Sequence, residues 1–112
     1  EHQLLLLARA LAQQPRVLLL DEPTSSLDPG NTARVIDILK SLSKRGITLF
    51  FTTHDPNVAA ECAHNVAMMS QGKILYSGPV GTALTSELLS RLYDTPMETF
   101  LHGDKVVVLR SY

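Results

Sequence analysis

Residues 17–28 read Val17-Leu18-Leu19-Leu20-Asp21-Glu22-Pro23-Thr24-Ser25-Ser26-Leu27-Asp28, an apolar run that changes abruptly into two adjacent carboxylates. Such a short apolar run predicts a fully buried strand of a parallel sheet, although its periodicity also fits a segment of buried helix. Pro23 cannot continue a central strand, so Asp21 and Glu22 are placed at the carboxyl end of the strand. Because ligands of open α/β sheets bind at that edge, the two acids are candidates to meet a cation or a water molecule.

A helix and a second strand follow this stretch. Asp28-Pro29 predicts the start of the helix, because Asp is a favoured N-cap and Pro is tolerated at the first helical position. Lys44-Arg45-Gly46 predicts its end, with cations and a glycine at the carboxyl terminus. Residues 47–51 then form another apolar, β-rich run, which completes a βαβ unit with parallel strands. Since parallel strands end at the same edge of a sheet, we expect Thr53-His54-Asp55 to emerge beside Asp21-Glu22.

The remaining pattern predicts three further helices and two hairpins. Residues 2–13 are expected to form a helix buried on most sides, because their apolar residues spread wider than the stripe of an exposed helix. Gly78-Pro79 is expected to break the chain. The other predicted elements are a short helix at about 55–63, a hairpin of residues 66–69 and 74–76, an amphipathic helix through Leu84–Leu92, and a hairpin of residues 97–101 and 105–109.

The composition restricts the classes of function. The 112 residues are 45% hydrophobic, which suffices for a packed core and argues against disorder. The formal net charge of −1, with scattered basic residues, argues against an electrostatic search for nucleic acid. The single cysteine, Cys62, excludes an internal disulfide and fits a reducing compartment, and no second Cys/His pair completes a metal site with Cys62 and His64. The start has neither a signal peptide nor an initiator methionine, so we expect the chain to be part of a longer one.

The acids at the strand end suit the chemistry of nucleotide hydrolysis. Asp21 would hold Mg²⁺, usually through water, and Glu22 would accept a proton from, or orient, the water that attacks a γ-phosphate. An ordinary acidic turn is the alternative for both. Asp28 and Asp55 are explained equally well as helix caps. His54 is either an ordinary histidine near a strand end or a hydrogen-bond partner of a phosphate oxygen or of the attacking water.

The block from Leu18 to Asp28, followed by Thr52-Thr53-His54-Asp55, resembles the ATP-binding subunit of ABC transporters. The first block looks like that family's Walker B strand running into its D-loop, and His54 falls where the family has its switch histidine. The opening residues 1–12 look like the helix after the family's LSGGQ signature, with Glu1 in the last position of that signature. The resemblance covers residues 1 to about 80.

This resemblance implies a role for each matching residue. Asp21 would hold Mg²⁺, Glu22 would be the general base, and His54 would contact the γ-phosphate of ATP. Asp28 would bridge the two halves of an ATP-sandwich dimer, and Ser26, in the same loop, would be a nucleotide-binding residue. The implied cofactors are therefore ATP and Mg²⁺.

The sequence also departs from the family's pattern. A phosphate-binding G-x-x-x-x-G-K-[ST] loop is absent, because Gly72-Lys73 is followed by Ile74, and the LSGG and glutamine-loop segments are absent too. We therefore expect an α/β fold that is a partial P-loop NTPase (ABC ATPase) fold, with a parallel βαβ core and C-terminal hairpins but without the N-terminal half. Residues 1–80 would be the core and 81–112 a C-terminal helix and hairpin. The chain alone is expected to be inactive, to bind ATP weakly, and to be stable only by self-association or strand exchange.

The function implied by the resemblance is ATP hydrolysis that drives import, most like importers of the iron-chelate, cobalamin and metal-ion type. The implied partners are a second ATPase subunit, transmembrane permease subunits and, indirectly, a substrate-binding protein, at the cytoplasmic face of the inner membrane and without nucleic acid. Two alternatives remain open: a non-transport ABC ATPase, such as a DNA-repair or chromosome head domain or a translation factor, and a non-catalytic interaction fragment. In such importers the membrane and binding-protein partners, rather than the ATPase, select the transported substrate.

Overall fold

The parallel βαβ unit predicted around residues 17–51 is present in the computed structural model, which describes residues 2–111. Glu1, assigned by resemblance to the end of a signature sequence, lies outside the described residues. The chain divides into two compact units, one up to His54 and one from Asp55 onward. The division expected near residue 80 rests on sequence motifs, whereas these two units are defined by their compactness. The expected division therefore stays a prediction.

The first unit contains two helices and two strands. They are α1 (His2–Ala12), β1 (Val17–Asp21), α2 (Pro29–Lys44) and β2 (Thr48–Thr52). The strands β1 and β2 pair in parallel, from Val17 opposite Thr48 to Asp21 opposite Thr52. The predicted parallel arrangement is therefore confirmed, and both strands end at the same edge.

The ends of α2 follow the predicted capping chemistry. The Asp28 side chain accepts a hydrogen bond of 2.8 Å from the backbone amide of Asn31, and Pro29 occupies the first turn. Arg45 forms the C-cap, and Gly46 follows it with φ of 90°, in the left-handed region that glycine adopts without strain. Local sequence therefore fixes both ends of the helix that connects the strands.

The core of the first unit lies on one face of its sheet. Leu7 of α1, Leu18 of β1 and Leu42 of α2 form a buried cluster. The opposite face is exposed, with Leu19 at 72% and Phe50 at 67% of their full accessibility. The expectation of a strand buried on both faces is thus wrong for the described chain, because α1 and α2 cover only one of them.

The helix α1 also differs from its prediction. Leu7 is buried, but Leu5 and Leu6 are exposed, so the helix is not buried on most sides. Its wide apolar surface is not matched by packing partners in the described residues. Together with Val17, Leu19 and Phe50, these two leucines make five large apolar side chains that the first unit leaves exposed.

The second unit combines short helices with two antiparallel hairpins. Its elements are α3 (Pro56–Cys62), β3 (Asn65–Ser70), β4 (Lys73–Pro79), α4 (Val80–Ala83), α5 (Ser86–Tyr93), β5 (Met97–His102) and β6 (Lys105–Arg110). Strands β3 and β4 form the first hairpin, and β5 and β6 the second, as predicted. A buried cluster in this unit consists of Met68, Ala83, Leu84, Leu89 and Val108.

The region around Gly78-Pro79 differs from the predicted chain break. β4 continues to Pro79 and leads directly into the short helix α4, which the sequence did not predict. The Tyr76 hydroxyl folds back over this segment and hydrogen-bonds the Thr82 hydroxyl. A Cβ atom at Gly78 would lie 2.8 Å from the Tyr76 hydroxyl oxygen, so any larger residue would displace the tyrosine ring from this position.

One side chain connects α3 to the second hairpin. The Asn57 side-chain amide donates to the carbonyl of Val108 at 3.1 Å, and its oxygen accepts from the Val108 amide at 2.8 Å. Both main-chain groups of a residue in the core of the unit are thereby satisfied. Within the part of the chain that the structure describes, no helix is long and apolar enough to cross a membrane.

Candidate active site

The edge where β1 and β2 end carries Asp21 and Glu22, the two acids that the sequence predicts to be functional. Asp21 is the last residue of β1 and lies directly opposite Thr52, the last residue of β2. The Thr52 hydroxyl donates a hydrogen bond of 2.6 Å to Oδ1 of Asp21. The inference that the two strand ends meet at one edge is confirmed at the level of side-chain contacts.

Glu22 leaves the strand in an unusual backbone conformation. Its φ is 46°, in the left-handed region that residues other than glycine seldom adopt. Its amide donates to the Thr52 hydroxyl at 3.0 Å, and its carbonyl accepts from the amide of Ser25 at 3.0 Å, which closes a turn around the buried Pro23. The turn and the hydrogen bond to Thr52 therefore hold the Glu22 backbone directly after the strand end.

The Glu22 carboxylate meets His54 at this edge. Oε1 of Glu22 lies 3.2 Å from Nε2 of His54, which is within reach of an N–H···O hydrogen bond. The Glu22 side chain is 37% exposed and the His54 side chain 89% exposed, so water screens the interaction and it adds little to stability. The contact therefore brings the two side chains together at the strand edge without contributing much to the stability of the fold.

The loop after Glu22 carries the other two predicted residues. Ser26 is exposed, with φ of 63°, and Asp28 is also exposed. Both carboxylate oxygens of Asp28 bond Asn31, through its backbone amide at 2.8 Å and its side-chain amide at 3.3 Å. The structure thus shows Asp28 as a helix cap, while its predicted role between two subunits stays a prediction.

The acidic edge suits a hard cation that takes one carboxylate from the protein and its remaining ligands from water and substrate phosphates. Among residues 2–111, no group of three or more His, Cys, Asp and Glu side chains could enclose a metal ion. Mg²⁺ does not need such a cage, since it is usually held by one or two carboxylates together with water and substrate phosphates. Asp21 offers an exposed carboxylate of this kind, so the residues present fit Mg²⁺ in that mode.

Thr52 is the residue of this site that the sequence reasoning did not single out. It contacts both acids, through the Asp21 carboxylate and the Glu22 amide. A signal was available, because aligning the ends of the two predicted parallel strands places a hydroxyl residue opposite the acid. Cys62 donates its thiol hydrogen to the carbonyl of Val58 at 3.2 Å.

Known proteins match this chain across both units. The profile of a family described as "AAA domain, putative AbiEii toxin, Type IV TA system" matches residues 2–60. A probable iron chelatin transport ATP-binding protein of Helicobacter pylori is 43% identical over 109 residues, which is 96% of this chain and 43% of that protein. The chain therefore spans less than half the length of this relative.

Solved structures give the same result. An inward-facing metal-chelate type ABC transporter matches 98% of this chain and 45% of its own chain, with a TM-score of 0.88 and 33% identity. A dimeric ATP-binding cassette in a post-hydrolysis state, bound to ADP and Pi, matches 70% of this chain and 34% of its own, with a TM-score of 0.63 and 32% identity. The partial ABC ATPase fold expected from the sequence is confirmed by these likenesses.

Proposed function

The chain belongs to the family of ABC transporter ATP-binding proteins, and we propose that its acidic strand edge works in ATP hydrolysis that drives import. The observation that carries this proposal is the contact of 3.2 Å between Glu22 and His54, beside Asp21 at the end of two parallel strands. The family resemblance implies that Asp21 holds Mg²⁺, that Glu22 is the general base and that His54 contacts the γ-phosphate. The names of the relatives favour transport over a non-transport ATPase or a non-catalytic fragment.

Each residue has a separate task in this proposal. Glu22 accepts the proton of the water that attacks the γ-phosphate, because its carboxylate is accessible and is oriented by His54. His54 also donates a hydrogen bond toward the phosphate, because its ring is exposed at the strand edge where the phosphate would lie. The exposed loop that follows carries Ser26 and Asp28. In this proposal Ser26 contacts the nucleotide, and Asp28 contacts the second ATPase subunit.

Asp21 provides the carboxylate for Mg²⁺. The cation, when bound, neutralises charge on the phosphate oxygens of ATP. The Asp21 carboxylate keeps Oδ2 and part of the coordination capacity of Oδ1 available beyond its bond with Thr52. In this proposal Asp21 keeps its carboxylate at the strand edge, oriented toward the place where Mg²⁺ would bind.

We propose a metal chelate or metal ion as the cargo, because the matches extend through the C-terminal hairpin. The metal-chelate transporter structure covers 98% of the chain, whereas the ADP-bound cassette covers 70%. The proposed partners are a second ATPase subunit, permease subunits and, through them, a substrate-binding protein. This assembly would place the protein peripherally at the cytoplasmic face of the inner membrane. Co-purification of permease subunits with the whole protein would support the transport role, and a soluble complex with nucleic acid would contradict it.

The hydrolytic role is tested by replacing the base. In the whole protein, Glu22→Gln should lower ATP turnover by about 10²–10⁴-fold, because the amide cannot take the proton from water. ATP binding, measured by fluorescence of a labelled nucleotide, should be retained. Glu98→Gln is the matched control, since Glu98 is an exposed glutamate on β5 of the second unit. Near-normal turnover in Glu22→Gln would remove Glu22 from the role of base.

A further inference from the structure

We propose that Thr52 is a positioning residue of this site, whose single hydroxyl sets the orientation of the Asp21 carboxylate and the backbone of Glu22 together. The proposal rests on the proposed function, since it concerns the two acids to which that function assigns work. It adds to the site a residue of β2, whereas Asp21 is on β1 and Glu22 directly follows it. It also predicts that the metal-binding and base positions are mechanically coupled through one side chain.

The hydrogen-bond geometry supports this role. The Thr52 hydroxyl has one hydrogen to donate, and it donates it to Oδ1 of Asp21 at 2.6 Å. The same oxygen accepts from the amide of Glu22 at 3.0 Å. One oxygen atom is therefore bonded to consecutive residues at the point where the strand ends and the turn begins.

The rigidity of the surroundings makes the hydroxyl a useful anchor. Thr52 is paired in register with Asp21, so the Cα positions of the two residues are fixed by the parallel ladder. The amide of Glu22 belongs to a residue with φ of 46°, and the bond from Thr52 helps to retain that sparsely populated conformation.

The decisive variants are Thr52→Val and Thr52→Ser. Valine keeps the shape and branching of threonine but lacks the hydroxyl, whereas serine keeps the hydroxyl and loses the methyl group. Thr48→Val is the matched control, because Thr48 is exposed and lies on the same face of β2 at its other end. The hydroxyl hypothesis predicts that only Thr52→Val is impaired.

The first readout needs neither nucleotide nor metal. In the whole protein, hydrogen exchange of the Glu22 amide, followed by NMR, should become roughly tenfold faster in Thr52→Val, as expected for the loss of one hydrogen bond. Thr52→Ser and Thr48→Val should retain the protection of the parent protein. Unchanged exchange in Thr52→Val would overturn the proposal, because the bond would then have no role in holding Glu22.

The second readout concerns the Asp21 carboxylate. The Mg²⁺ concentration that gives half-maximal ATP turnover should rise by about 10–100-fold in Thr52→Val, the usual effect of removing a group that orients a metal ligand. KM for ATP at saturating Mg²⁺ should be unchanged, and Thr52→Ser should restore the Mg²⁺ dependence. Equal impairment of Thr52→Ser and Thr52→Val would assign the effect to the methyl group and overturn the proposal. The exchange measurement is independent of Glu22→Gln, so failure of the hydrolytic role and failure of this positioning role give different results.

Discussion

Oε1 of Glu22 lies 3.2 Å from Nε2 of His54, so a residue of the first turn after β1 and a residue just beyond β2 meet across the sheet edge. The parallel register of the two strands creates this contact, because it brings both strand ends to one side. The His54 ring is almost fully exposed and contributes little to packing. Its removal should therefore affect chemistry far more than folding.

His54→Ala in the whole protein should lower ATP turnover by about 10²-fold, the lower end of what a positioned acid–base group contributes. The temperature of thermal unfolding should stay within about 1 °C, because a solvent-exposed polar contact of this kind is worth little. His102→Ala, at an exposed histidine in the second hairpin, is the control and should change neither quantity. A large drop in unfolding temperature for His54→Ala would show that the residue is structural.

The exposed face of β1 and β2 should make the 112-residue chain self-associate. Five large apolar side chains are exposed in the first unit, each worth about 1.5–3 kcal/mol when buried. Their sum, about 10 kcal/mol, is of the order of the stability of a whole domain. Light scattering should give a mass above the 12.3 kDa of the monomer, and Leu19→Lys combined with Phe50→Lys should reduce it.

The control for this experiment is Met69→Lys, at an exposed apolar residue of the second unit. It should leave the self-association unchanged. A stable, compact monomer of the parent chain would show that the exposed face is tolerated without a partner. The same material should bind Mg-ATP only weakly, and micromolar affinity in a titration would contradict that expectation.

Asn57→Ala should destabilise the second unit by about 2–4 kcal/mol. The substitution leaves the amide and the carbonyl of the buried Val108 without their side-chain partners, and each unsatisfied group costs about 1–3 kcal/mol. Asn57→Asp should be intermediate or equally harmful, because a carboxylate accepts from the amide but repels the carbonyl. Asn65→Ala, at an exposed asparagine of β3, is the control for urea unfolding of these variants. A loss below about 0.5 kcal/mol in Asn57→Ala would mean that water replaces the side chain at no cost.

Tyr93 should make the second unit less stable at alkaline pH. Partial burial, and secondarily the negative charge of Asp55, raise the pKa of Tyr93 above its ordinary value of 10.0. The folded state thus favours the protonated phenol, and this contribution is complete below pH 10.0 and lost as the pH rises through the higher folded value.

Tyr93→Phe should remove this part of the alkaline loss of stability, measured as unfolding temperature between about pH 8 and 11. Asp55→Asn keeps an oxygen to cap α3 and should shift the pKa of Tyr93 partway toward its ordinary value, seen by phenolate absorbance. If the unfolding temperature falls equally with rising pH in Tyr93→Phe and in the parent protein, Tyr93 is not responsible for the alkaline loss of stability.

Much of the fold follows from local chemistry. The Asp-Pro pairs at residues 28–29 and 55–56 cap α2 and α3 as expected, because the side-chain oxygen and the fixed φ of proline act within one turn. The edge shared by Asp21 and His54 follows from the parallel crossover alone. These features depend on residues close in sequence or on a rule of chain topology.

Other features depend on long-range contacts that the sequence pattern does not specify. The left-handed backbone of Glu22 is supported by a hydroxyl from the second strand, and α4 forms where Tyr76 folds over Gly78. The exposure of Leu19 and Phe50 could not be predicted from apolarity, which indicates that a side chain is suited to burial but not what covers it. Contacts of this kind join residues far apart in the sequence, so they are defined only by the folded structure.

The pairing of Asn57 with Val108 also has a consequence for aggregation. The two Val108 groups that it bonds are on the outer edge of β6, since β5 lies on the other side. An incoming strand from another molecule would need these same groups to extend the hairpin. By occupying them, one amide side chain blocks edge-to-edge β-addition at this position and directs any association of the chain elsewhere.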